Sequence, residues 1–224
     1  MCGRYTLTTP IERLSEKFQF QQIIPLKPRH NIAPSQSVAV VRYTAEDSER
    51  KLSMLLWGLI SAWVQDPAKS TKPINAKSET VAEKPMFREA FKRRRCLIPA
   101  DGFYEWKQED GRKQPVYIRM KDGDPFAFAG LWEHWEGKEG QTIESCTILT
   151  TEPNDLLSQI HNRMPVILAQ KDYEQWLNLD LHDIAHLNPL LQPYPADSMT
   201  AFPVNLRVNN PRHDDPLCIE PLPQ

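Results

Sequence analysis

Apolar residues recur at helical spacing in only a few stretches of this chain. Most other hydrophobic positions fall in short runs separated by prolines and polar turns. Ile11, Leu14 and Phe18 behind Pro10 predict a helix over residues 11–20. A proline-containing loop follows, and the β-branched run 38–43 and the apolar segment 51–59, joined by polar residues 44–50, predict a hairpin. Ser78 to Thr80 read as the cap of a helix running to Phe91 with an interruption at Pro85. Residues 95–106 read as a strand interrupted by Pro99, Asp101 and Gly102, and 115–120 with 126–131 as a hairpin about Asp122-Gly123. Further strands are expected at 143–150 and 166–168, short helices at 153–157 and 171–179, and edge strands at 202–204 and 217–219. Short strands with few helices, and no glycine-rich phosphate loop, predict an α+β protein built on a mainly antiparallel, partly closed sheet or barrel. No repeat or low-complexity linker divides the chain, so residues 1–224 are expected to form a single domain.

Composition sharpens this picture. Twenty prolines against eight glycines argue against a helical bundle and for short strands joined by rigid turns. There is no signal-peptide pattern at the start and no apolar stretch long enough to span a membrane, so a cytoplasmic protein without membrane association is expected. Cys2, Cys96, Cys146 and Cys218 stand far apart and form no Cys-x-x-Cys pair; the last three read as reduced core residues. His182 and His186 lack the glutamate a zinc-protease helix requires, so neither a metal nor a cofactor is expected. The net charge of −2 conceals an asymmetry: nine basic against three acidic residues from Lys69 to Arg95, and eight acidic against three basic from Lys171 onward. One local basic surface suits a short stretch of phosphates better than a long duplex, although such a run also fits a solvated helix face.

Candidate chemistry begins at Cys2. Removal of Met1 would leave a residue carrying both a thiol and an α-amine, each partly nucleophilic near neutral pH. Such an aminothiol condenses with an aldehyde and closes to a thiazolidine. The ordinary alternative is a small buried residue. Glu105, between Tyr104 and Trp106, is a candidate for proton transfer if the rings reduce its solvation, or a strand residue facing water. His161 is either a general acid or base or a structural ring bonded to a backbone carbonyl, and Asn75 either an orienting group or an Asx turn.

Taken together, Met1-Cys2-Gly3-Arg4-Tyr5, Arg29-His30-Asn31-Ile32-Ala33-Pro34, Trp57-Gly58-Leu59, Ile74-Asn75-Ala76-Lys77-Ser78-Glu79-Thr80, Arg95-Cys96-Leu97-Ile98-Pro99-Ala100, Asp101-Gly102-Phe103-Tyr104-Glu105-Trp106 and His161-Asn162-Arg163-Met164-Pro165 resemble the motifs of the SRAP family, abasic-site processing proteins that link covalently to DNA. The matches run in order from residue 1 to about residue 168, with the family domain reaching about residue 215. The resemblance implies that Cys2, once Met1 is removed, captures the ring-opened aldehyde of an abasic site in single-stranded DNA as a thiazolidine. It places the catalytic roles on Cys2, Asn75, Glu105 and His161. It implies DNA contacts from Arg4, Lys77 and Arg163, with Trp57, Met86 and Thr151 as neighbours of the strand. Lys77 stands where other members often carry arginine and offers no bidentate fork. An accompanying AP lyase activity, reversal of the link, a monomeric state, and replication or SOS partners near the nucleoid are further expectations. Two other readings remain: a thiol peptidase acting on itself through Cys2, and a non-covalent binder of single-stranded DNA.

Overall fold

The computed structural model describes residues 2–22, 24–43, 49–181 and 184–223, and of residue 184 the backbone alone. In chain order the strands are β1 (Tyr5–Leu7), β2 (Arg29–Ile32), β3 (Ser37–Arg42), β4 (Lys51–Trp57), β5 (Asn75–Lys77), β6 (Arg95–Ala100), β7 (Gly102–Glu109), β8 (Arg112–Met120), β9 (Phe126–Glu136), β10 (Thr142–Thr151), β11 (Met164–Pro165), β12 (Ile167–Leu168) and β13 (Met199–Pro203). The helices are short: α1 (Ile11–Phe18), α2 (Arg88–Arg93), α3 (Asp155–Ser158), α4 (Tyr173–Leu177) and α5 (Ile184–Leu187).

Strands β10, β4, β3, β6 and β9 follow one another around a ring that closes when β9 pairs with β10. The expected α+β architecture on a mainly antiparallel, partly closed sheet is therefore present, with one sheet closed into a barrel; the β10–β4 and β10–β5 pairings are parallel. Closure removes the exposed edges that an open sheet would present. It also buries both faces of the middle strands, and every residue of β6 is buried. A second, five-stranded antiparallel sheet runs β13-β8-β7-β1-β2. Helix α1 buries Leu14 and Phe18, and the Phe18 ring stacks on Tyr173 at 5.4 Å. Gln19 ends that helix in the left-handed region, with φ 57°.

The expected hairpin of 38–43 with 51–59 is found, in register from Ser37 opposite Leu56 to Arg42 opposite Lys51; residues 44–48 of its turn lie outside the described residues. The edge strand expected at 202–204 appears within β13, against β8.

Four other elements differ from expectation. Residues 95–106 form two strands in two sheets, because the chain turns at Asp101, whose carboxylate accepts the backbone N–H and hydroxyl of both Thr8 and Thr9. The segments around Asp122-Gly123 do not pair with each other: β8 joins the open sheet and β9 the barrel. The tight hairpin lies one turn earlier, between β7 and β8, where Asp110 and Gly111 both have positive φ, at 46° and 77°. The helix expected to run to Phe91 with an interruption at Pro85 is interrupted there, but the break is wider: a 3-10 turn at Ser78–Thr80 is followed by turns, and α2 begins only at Arg88. Residues Pro216–Cys218 are a 3-10 turn rather than a strand, capped by the Asp215 carboxylate accepting the Leu217 N–H at 3.2 Å.

The end of the basic run is structural. Arg95 is fully buried, and its guanidinium donates to the carbonyls of Trp176, Phe91 and Lys92 at 2.7 Å each, Leu181 at 2.9 Å, and Asn178. Burial lowers its pKa to about 10. Arg94 pairs with Glu133. Arg95 thus pins the 3-10 and helical segments around α4 to the barrel and offers nothing to a phosphate.

Candidate active site

Cys2 lies just ahead of β1, which runs between β2 and β7 in the open sheet, with Tyr5 opposite both Ile32 and Phe103. This pairing sets the start of the chain beside the strand that carries Glu105. Gly102, opening β7, allows the close approach: a Cβ there would sit 2.4 Å from the Tyr117 ring, whose hydroxyl bonds to Thr6 Oγ1 at 2.8 Å.

Cys2 is fully buried, and burial first, then the negative charge of Glu105, raises its thiol well above the ordinary cysteine range. Glu105 is 2% exposed, and burial raises its carboxyl, opposed by nearby positive charge that includes His161. His161 follows α3 in a turn fixed by its backbone N–H donating to Leu157 O at 2.8 Å. Its Nδ1 stands against the Arg163 backbone, 3.0 Å from the amide nitrogen and 3.3 Å from the carbonyl oxygen. Glu105 and His161 line one cleft of about 480 Å³ with Trp106, Lys113 and Asn209. Glu105, far from both in sequence, thus shares a cleft with His161 and acts electrostatically on the Cys2 thiol.

Asn75 sits on β5, opposite Ile148 of β10, with Nδ2 and Oδ1 shielded from solvent and without a hydrogen-bond partner among the described residues. Leaving a buried amide unsatisfied costs about 1–3 kcal/mol, so an arriving polar group would be favoured there. No hydrogen bond joins it to Cys2, Glu105 or His161.

Arg4 is braced. It donates to Asn31 Oδ1 at 2.9 Å, Val208 O at 2.7 Å and Asn209 O at 3.4 Å. Asn31, fully buried, donates in turn to the carbonyls of Val208, Asn210 and His213. Arg163 forms a two-pronged ion pair with Glu79 and also donates to Thr150 O at 2.6 Å, lowering the Glu79 carboxyl. Lys77 is exposed at the end of β5.

The remaining DNA neighbours fare differently. Trp57 is fully buried, with Nε1–H donating to Ile74 O at 3.0 Å and its ring edge-on to Tyr5, so it has no face for a base and belongs to the core. Met86 is half-buried against the core, and Thr151, 5% exposed, borders a separate hollow with Ser78 and Glu79. Asn31, Lys113 and Asn209 escaped sequence reasoning. Asn31 at least stood within a matched motif; nothing local marks the other two. Among the described residues no group of three or more histidines, cysteines or carboxylates is placed to hold a metal ion, and no helix is long and apolar enough to cross a membrane.

The profile of the family described as SOS response associated peptidase (SRAP) matches residues 1–211. The abasic site processing protein YoqW of Bacillus subtilis (strain 168) is 44% identical over 224 residues, which cover 98% of this chain and 99% of that protein. The abasic site processing protein HMCES of Xenopus tropicalis is 32% identical over 222 residues, covering 86% of this chain and 66% of that one. A crystal structure of a protein from Bacteroides thetaiotaomicron superimposes with a TM-score of 0.89 at 27% identity, over 99% of this chain and all of its own.

Proposed function

The chain belongs to the SOS response associated peptidase (SRAP) family, and from that premise we propose that it processes abasic sites by covalent capture in single-stranded DNA. The observation that supports this reading is that Glu105, buried beside His161 in one cleft, lies close enough to Cys2 for its charge to act on the thiol.

In this reaction the α-amine of Cys2, freed by removal of Met1, attacks C1′ of the ring-opened deoxyribose. Glu105 supplies a proton to the carbinolamine oxygen, water leaves, and an iminium forms. The Cys2 sulfur then adds to C1′ and its proton passes to Glu105, so aldehyde and aminothiol become thiazolidine and water. A raised carboxyl suits this task, because it exists in both protonation states nearer neutral pH than an ordinary glutamate. Before ring closure, loss of a C2′ proton to Glu105 breaks the C3′–O bond, and the electron pair departs with the 3′ phosphate, giving AP lyase activity. His161 exchanges protons with the link during opening. Asn75 receives a sugar hydroxyl or the amine with its unsatisfied amide. Arg4, Lys77 and Arg163 meet phosphates. The metal-free, cofactor-free site, the single domain and the monomer belong to this proposal, as do SOS or replication partners.

A thiol-peptidase reading draws less support, since a Cys-His nucleophile needs a lowered thiol pKa and Cys2 is shifted upward.

The test is a denaturing gel of the protein mixed with single-stranded DNA bearing one abasic site. A heat-resistant adduct is expected, lost in Cys2→Ala and in protein with a blocked N-terminus; an adduct that survives either change sinks the thiazolidine. Glu105→Gln is expected to slow single-turnover capture at least tenfold, and His161→Ala to slow release of a preformed adduct.

A further inference from the structure

Two side chains in the cleft beside Glu105 and His161 have no part in the scheme above. Trp106 and Lys113 stand on neighbouring strands, with Trp106 opposite Pro115 and Lys113 opposite Gln108 in the β7–β8 register. Alternation along the strands puts Trp106 and Lys113 on the same face of that hairpin. Trp106 is half-buried, and its indole N–H donates to Asn209 Oδ1 at 2.7 Å, which fixes the plane of the ring. Lys113 is exposed and lines the same cleft. The cleft thus offers an aromatic surface held from its edge, a cation, and direct continuity with the proposed reacting groups.

We infer that this cleft seats the nucleotide on the 3′ side of the abasic sugar, with its base on Trp106 and the connecting phosphate at Lys113. The inference rests on the capture reading above. Its polarity follows from the sugar: in the ring-opened form C3′ lies two bonds from the reacting C1′, whereas C5′ lies four bonds away. The phosphate nearest Glu105 and His161 is therefore the 3′ one. Beyond Lys113 an adjoining hollow is lined by Glu109, Asp110 and Arg112, with Glu109 paired to Lys107. Lys113 so placed also neutralises the phosphate that departs in β-elimination.

The experiment measures binding of a short single strand carrying a tetrahydrofuran abasic analogue, which cannot form the adduct. 2-Aminopurine is placed either 3′ or 5′ to the analogue, and a neutral methylphosphonate replaces either the 3′ or the 5′ linkage. With wild-type protein, quenching is expected for the 3′ probe, and the 3′ methylphosphonate is expected to weaken binding. Trp106→Ala should abolish that quenching and weaken binding about 5- to 150-fold, and Trp106→Phe should restore much of both. Lys113→Gln, an exposed change that leaves folding intact, should lower the salt slope by about 0.7 and make the 3′ methylphosphonate cost nothing further. If Lys113→Gln still responds fully to the 3′ methylphosphonate, or the 5′ probe is the one quenched, the 3′ seat is overturned. Adduct formation by wild-type protein on a true abasic strand is measured alongside. Absence of that adduct overturns the capture reading, while its presence together with wild-type binding by both variants overturns the seat alone.

Discussion

Glu105 is the residue at which stability and chemistry oppose each other. Burial raises its carboxyl, so over a range above the ordinary glutamate pKa the folded protein keeps a proton that the unfolded chain has lost. The folded state binds more protons there, and stability falls as pH rises through that range. Glu105→Gln removes this dependence. Thermal melts from pH 4 to pH 8 are expected to show the variant gaining on wild type as pH increases, with the largest advantage at the alkaline end; a difference independent of pH would contradict the raised carboxyl. A group that weakens the fold while serving a reaction fits the general opposition between stability and function. Arg95 illustrates the converse, a charge from a basic run absorbed entirely by carbonyls of the fold. Trp57 does the same for an aromatic residue, since a tryptophan in a motif reads alike whether it faces DNA or the core.

Among the elements, the segment after β13 has more to do with the site than its sequence indicates. The 3-10 turn Leu206–Asn209 supplies Asn209 to the cleft and two carbonyls to Arg4. It is tied back through Asp214, whose carboxylate accepts the backbone N–H of Asn31 at 2.8 Å and that of His30, and pairs with Arg29. Hydrogen bonds to a charged acceptor contribute about 1.5–3 kcal/mol each, and part of that is recovered by solvation when they are lost. Asp214→Ala is expected to destabilise the protein by about 2 kcal/mol in denaturant titration and, by loosening the brace on Arg4, to weaken DNA binding several-fold. Unchanged binding in a destabilised variant would separate the segment from the site. The β7–β8 hairpin is the other element that matters, and its Asp110-Gly111 turn was as visible in the sequence as Asp122-Gly123. Turn chemistry marks where the chain reverses, but not which strands then pair.

At the scale of the molecule, a net charge of −2 leaves DNA attraction to a few local cations. If Arg4, Lys77 and Lys113 each meet one phosphate, the slope of log affinity against log salt should be about −2 for a single strand. Glu79 already neutralises Arg163, so Glu79→Gln is expected to steepen the slope toward about −3 and tighten binding at low salt; anisotropy titrations from about 50 to about 300 mM salt would read both effects. The sequence by itself determined the fold class, the β3–β4 hairpin, the family, and Cys2, Glu105 and His161 as candidates. Each rests on something local: alternation of apolar residues, a polar turn, or a short motif. Only the tertiary structure decided that the barrel closes through β9 and β10, that the chain changes sheet at Asp101, that Trp57 is core, and that Lys113 and Asn209 border the cleft. These depend on pairing between distant segments, and the free energy of such pairing comes from burial shared across the whole barrel, which no local stretch of sequence encodes.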